Sequence, residues 1–171
     1  MKRSLVIKII VALNLIIVLA VFNWQMRKKE TILSEGKLVY LELQTRDPRS
    51  LMQGDYMHLN YALINDVRAS SDSIGKRGFC IVTLNDSSVA GKARLQQHPD
   101  PLYPKEYRIR YFSHMNTFSL GAESFFFEEG TGDFFTSARY GGIRVDKDGN
   151  SVLVGLYDSA FKKIVPSDSI H

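Results

Sequence analysis

Gly54-Asp55-Tyr56-Met57-His58-Leu59-Asn60-Tyr61 reads as a turn running into a strand. Glycine and aspartate open tight turns, aspartate by accepting a bond from its own backbone two residues on. Beyond them Met57, Leu59, Tyr61 and Leu63 recur at period two, and Tyr56, His58, Asn60 and Ala62 take the alternate positions. The expectation is a half-buried strand over 56–63 with its Met-Leu-Tyr-Leu face in a core.

The chain on either side has the same character. Upstream, Lys37 to Gln44 reads as a first strand, and Arg46-Asp47-Pro48-Arg49-Ser50 as a turn. Downstream, Asn65 to Arg77 is polar and reads as a helix or loop end followed by an exposed turn. Gly78–Leu84 and Val89–Gln96 form a hairpin about Asn85-Asp86-Ser87-Ser88. A loop with three prolines covers 97–105. Glu106 to Met115 then alternates Tyr107, Ile109 and Tyr111 against Arg108, Arg110 and Phe112. Ser124 to Phe127 is a short strand. Asp133 is placed to cap a short helix through Tyr140, with Gly141 as the left-handed residue past its end. Gly142–Asp146 and Ser151–Tyr157 make a last hairpin about Lys147-Asp148-Gly149-Asn150, and Gly155 suggests a bulge or a close backbone approach. Seven or eight short strands and one or two short helices give a mainly β fold, a single antiparallel barrel- or sandwich-like domain over 37–171. Crossover helices long enough for a doubly wound sheet are missing.

Residues 1–29 are of another kind. Leu5 to Trp24 is apolar apart from Lys8, Asn14 and Asn23, and a helix of that length rises about 30 Å, the thickness of a hydrocarbon core. Lys8 can snorkel to the headgroups, and Trp24 stands at an interfacial position before Arg27-Lys28-Lys29. Two readings fit, a cleaved signal peptide and a retained anchor. Val18-Leu19-Ala20 offers residues small enough for cleavage, but the apolar run continues through Val21-Phe22 and no polar, helix-breaking region precedes the cut. The retained anchor is the favoured reading, with the lipid bilayer as partner of residues 5–24 and a polar connector at 30–36. Lys2 and Arg3 with the α-amine oppose Arg27, Lys28 and Lys29, so charge nearly ties the orientation. The short leader favours a domain outside the cytoplasmic membrane.

The formal charge of +4 belongs to this segment, because six of the 22 basic residues lie in the first 29 and no acid does. The rest of the chain carries 16 basic residues against 18 acidic ones. A near-neutral domain without a basic stripe speaks against a nucleic-acid partner. Cys80, the single cysteine, can form no internal disulfide and reads as a small core residue within Phe79-Cys80-Ile81-Val82.

Gly54-Asp55-Tyr56, Leu59 and Tyr61 spell G-D-Y-x-x-L-x-Y, and on these residues the chain resembles the GDYXXLXY family of membrane-anchored bacterial proteins. The resemblance extends to Asp47-Pro48-Arg49, Phe126-Phe127 with Glu129-Gly130, Ala138-Arg139-Tyr140-Gly141, and the hairpin Arg144-Val145-Asp146 to Asp148-Gly149 with Leu153-Val154-Gly155-Leu156. It implies one N-terminal span, an extracytoplasmic domain and genes often beside those of multi-span membrane proteins, and the expectation is that the chain associates with such a protein. It brings no activity.

Catalytic sets do not assemble from the pattern. Arg49-Ser50 before Gly54-Asp55 weakly resembles the segment after the nucleophile in type I signal peptidases, but that position falls on Arg46 and no lysine base can be assigned. Asp146-Lys147-Asp148-Gly149-Asn150 lacks the third ligand and the final glutamate of a calcium loop, and reads as a hairpin turn. His58, His98, His114 and His171 are scattered, and no metal or other cofactor is expected. Glu128 and Glu129 would point to opposite faces of a strand. The candidates left are polar. Asp47, Arg49, Asp55 and Tyr56 stand round two turns, and Arg139, Tyr140 and Arg144 round the later segment. They hold the architecture or line a groove for a peptide or partner loop. The sequence supports a non-enzymatic accessory module before a diverged envelope hydrolase or a small-ligand or cell-wall binder.

Overall fold

The computed structural model describes residues 2–44, 56–69, 75–114 and 117–166. Asp47, Arg49, Gly54 and Asp55, the turn expected at 46–50, Ser70 to Asp72, Met115 and His171 lie outside the described residues.

A single helix, α1 (Lys2–Glu35), begins the chain. From Val6 to Phe22 its large apolar side chains are all about half exposed or more, and none is covered by the domain. With no protein against that stretch, the helix is long and apolar enough to cross a membrane or to act as a signal sequence. The region expected as a polar connector is helical as far as Glu35, and only Gly36 turns the chain. Exposed polar residues satisfy a helix and a linker equally well, so composition alone does not separate them.

The strands among the described residues are β1 (Lys37–Glu42), β2 (Tyr56–His58), β3 (Arg77–Leu84), β4 (Ala90–Gln96), β5 (Glu106–His114), β6 (Thr117–Ser119), β7 (Ser124–Phe126), β8 (Tyr140–Val145) and β9 (Ser151–Tyr157). They form three antiparallel sheets, ordered β1-β8-β9, β2-β7 and β4-β3-β5-β6. The first and third approach each other along β1, where the Tyr40 N–H donates to Ser88 O at 2.9 Å. They meet again at the β8–β9 hairpin tip, where Arg110 N–H donates to Gly149 O at 2.8 Å and Arg108 Nε to Lys147 O at 2.6 Å. The mainly β antiparallel fold is as expected, and its sheets include a half-barrel.

Alternation along the strands fills the interior. Val39 and Leu41 of β1, Cys80 and Val82 of β3, Ile109 and Tyr111 of β5, and Ile143 and Val145 of β8 are all buried in one core. Tyr111 stacks on Phe118 with ring centres 4.8 Å apart.

Three local expectations change. The strand expected over 56–63 ends at His58, and a second helix, α2 (Ala62–Ala69), follows. Met57, Leu59, Tyr61 and Leu63 are nevertheless all buried. Leu63 and Val67 are one helical turn apart and both buried, so the core-facing set passes from strand spacing to helix spacing within a few residues. The helix expected after Asp133 is a 3-10 turn, Gly132–Ser137; Thr131 precedes it, and Asp133 lies in its first turn instead of capping it. Gly141 is an ordinary residue of β8 rather than a helix terminator. Gly155 has φ of +151° beside a register shift between β8 and β9, with the Lys163 side chain 2.6 Å from where a Cβ would stand. The bulge occurs there, and the close approach is by the Lys163 side chain rather than by a backbone.

Candidate functional site

Of the described signature residues, Leu59 and Tyr61 are packed in the core and Tyr56 is exposed. Tyr56 and His58 point outward from β2, while Met57 and Leu59 point in. Leu59 N–H donates to Glu123 O at 2.7 Å, and Gln44 N–H to Asn60 O at 2.7 Å, so the stretch is held from both sides. Tyr61 bridges Leu43 and buries its ring, and its hydroxyl donates to the carbonyl of Ala122. A Cβ on Gly141 would stand 2.9 Å from that ring. Only glycine leaves room there, which is why two distant parts of the chain, Tyr61 and Gly141, are read best as one contact.

Glu123 lies beside this contact, and nothing in the sequence singles it out. It is the buried charged residue of the described core. Its carboxylate accepts the Ser119 hydroxyl at 2.7 Å and the backbone N–H of Leu120. Burial, and the Glu123 carboxylate nearby, raise the Tyr61 phenol above its ordinary range. An acid in the run Gly121-Ala122-Glu123-Ser124 looks like any loop residue. Its significance comes from the fold closing over it.

The remaining candidates are dispersed. Arg139 pairs with Glu42 at 2.6 Å, with both side chains about half exposed. Arg144 donates from the other end of β8 to Gly36 O at 2.9 Å, just past the end of α1. Tyr140 stacks on Phe161 at 5.0 Å, within a cluster of rings that includes Tyr40 and Tyr157. Tyr56 rests on Phe126 at 5.8 Å, with both rings well exposed. Glu128, Glu129 and Gly130 follow β7 in an exposed turn, closed by Thr131 N–H to Glu128 O at 3.0 Å. The two glutamates therefore do not occupy opposite faces of a strand. Cys80 is fully buried, and burial pushes its thiol up to about 12. Asp146 accepts bonds from Asp148 N–H and Asn150 N–H at 2.9 and 2.8 Å, which makes the acidic loop a hairpin turn. Among the described residues no three His, Cys, Asp or Glu side chains gather as a metal site would require.

An open cleft lies elsewhere, between α1 and the domain. Its volume is about 910 Å³. One wall is the last three turns of α1, with Trp24, Arg27, Lys28 and Ile32. The other comprises Leu102, Tyr107, Val145 and Lys147, and Lys37 also lines the cleft. Among the described residues Ile32 is the one helix side chain the domain buries, and Arg144 fastens the following turn, so the cleft walls are fixed to each other. The sequence does not show it, because it is built from three separated segments.

The family model described as GDYXXLXY protein matches residues 18–156, most of the chain. No curated protein and no solved structure matches.

Proposed function

The chain belongs to the GDYXXLXY family, and from that premise we propose that it is a membrane-anchored accessory module. In this reading α1 stays in the bacterial cytoplasmic membrane, and the β domain stands on the extracytoplasmic side against a multi-span membrane protein. The observation that carries it is the continuity of α1. The helix is uncovered to Trp24, continues to Glu35, and passes through the single residue Gly36 into β1. Ile32 is buried in the domain and Gly36 O accepts from Arg144, both beyond the possible cut after Ala20. A retained helix on such a mount fixes which face of the domain a neighbour in the membrane meets. The orientation rests on the short leader, since the flanking charges nearly balance.

Affinity isolation of the full chain from membranes in mild detergent tests the proposal. Co-recovery of a multi-span protein in constant ratio is the expected result. Recovery of the chain alone counts against the partner, and a mature N-terminus beyond Ala20 counts against the retained anchor.

A further inference from the structure

We propose that the cleft between α1 and the domain holds the phosphate-bearing headgroup of an anionic lipid from the surrounding leaflet. The inference rests on the retained anchor. Three observations support it.

The first is height. Trp24 ends the apolar run, and a helix rises about 1.5 Å per residue, so Arg27 stands roughly 4–5 Å and Ile32 roughly 12 Å beyond it. The headgroup layer beyond the hydrocarbon core is only about 5–8 Å deep on each side. A cleft that begins at Trp24 and Arg27 therefore opens inside that layer, and a lipid reaches it without leaving the membrane.

The second is charge. Ion pairs among the described residues join Arg94 to Glu106, Lys105 to Asp86, Arg108 to Asp100 and Arg139 to Glu42. Arg27, Lys28, Lys37 and Lys147 line the cleft and take part in none of them. Of the four lining acids, Glu106 is already paired with Arg94. Glu35, Asp146 and Asp148 are left against four cations, an excess of one positive charge, since the turn amides that bond Asp146 do not cancel its charge.

The third is the lining between these charges. Ile32, Leu102, Tyr107 and Val145 give the cleft an apolar interior below a cationic rim. That combination suits an amphiphile, whose glycerol and first methylenes need apolar contact, better than a free anion.

The test uses the full chain in nanodiscs of phosphatidylcholine with a minor fraction of photo-crosslinking phosphatidylglycerol. Cross-links should map to 24–37, 102–108 and 145–148. Each of Arg27→Gln and Lys28→Gln should lower the yield about fivefold, the effect of one cation near an anionic surface. Lys92→Gln, on exposed β4, should leave it unchanged. Carbonate extraction of membranes is run beside it. Cross-links confined to 5–24, or yields indifferent to the two substitutions, overturn the lipid site while a carbonate-resistant chain leaves the anchor standing. Loss of the cross-link to millimolar inorganic phosphate overturns it in favour of a free-anion site. Release of the chain by carbonate overturns the anchor and the lipid site together.

Discussion

The two ends of β1 lie in opposite surroundings. Past Glu42 the chain enters a closed region, where Leu43 bridges Tyr61, the ring of Tyr61 fills the space beside Gly141, and its hydroxyl is spent on Ala122. Before Lys37 it emerges from an open one, a cleft whose cations outnumber the free acids among the described residues. The described residues of the name-giving motif fall at the closed end. A sequence signature of this kind marks what the fold cannot do without, and that need not be where the protein meets another molecule. Substitutions at the closed end should therefore be felt as lost stability, and those at the open end as lost association.

The largest expected effect is at Tyr61. Tyr61→Ala should destabilise the chain by about 3–5 kcal/mol, the usual cost of truncating a buried large aromatic. Tyr56→Ala, in the same motif but on the exposed face, should cost less than about 1 kcal/mol. Urea unfolding of the two variants in the same detergent decides the matter. Equal losses would erase the distinction between the buried and exposed halves of the motif.

Glu123→Ala comes next, at about 1–3 kcal/mol, because the Leu120 N–H would stay buried without its acceptor. Glu123→Gln, which keeps one acceptor oxygen, should recover part of the loss. If both variants unfold at the wild-type midpoint, Glu123 is not part of the closed region.

Alkaline pH probes the same region without a substitution. The Cys80 thiol has an ordinary value of 9.0 and is held up to about 12 in the fold. The folded chain thus keeps a proton that the unfolded chain gives up. Stability is unaffected below pH 9, then falls as pH rises towards 12, by at most about 1.4 kcal/mol per pH unit from this group. The raised phenols of Tyr61, Tyr111 and Tyr157 add to the fall above about pH 10. Cys80→Ala should flatten the slope of the urea midpoint between pH 9 and 10. A thiol reagent that labels the folded chain quickly at pH 8 would contradict the burial itself.

Burial is more legible in the sequence than secondary structure. Met57, Leu59, Tyr61 and Leu63 read as one buried set, and they are, although strand gives way to helix between them. Hydrophobic matter at alternate positions reports that a face is wet or dry. It does not distinguish a strand from a strand followed by a helical turn when the window is only about eight residues long. The hairpins at Asn85 and Gly149 are legible because a turn is local chemistry: Asn85 Oδ1 accepts from Ser87 and Val89 N–H at 3.0 and 2.9 Å. Glu123 and the cleft are not legible, because each exists only where separated segments converge. Arg139 and Arg144 read as neighbours on the strength of sequence distance, yet β8 carries them to Glu42 and Gly36, at the two ends of the same partner strand.

The smallest effect is expected at that pair, and it bears on function most directly. Arg139 and Glu42 are half exposed, and exposed ion pairs are worth about 0–1 kcal/mol. Arg139→Ala and Glu42→Ala should each shift the urea midpoint only slightly, and a double-mutant cycle should return a coupling within that range. A strand-end arginine that adds so little to stability leaves its charge free for something else. If Arg139→Ala folds normally and the multi-span protein no longer co-purifies, the closed end of β1 carries a docking residue on its rim, and the contrast between the two ends narrows to their interiors. If association survives Arg139→Ala and is lost with Lys37→Gln, contact with the membrane and its proteins belongs to the open end alone.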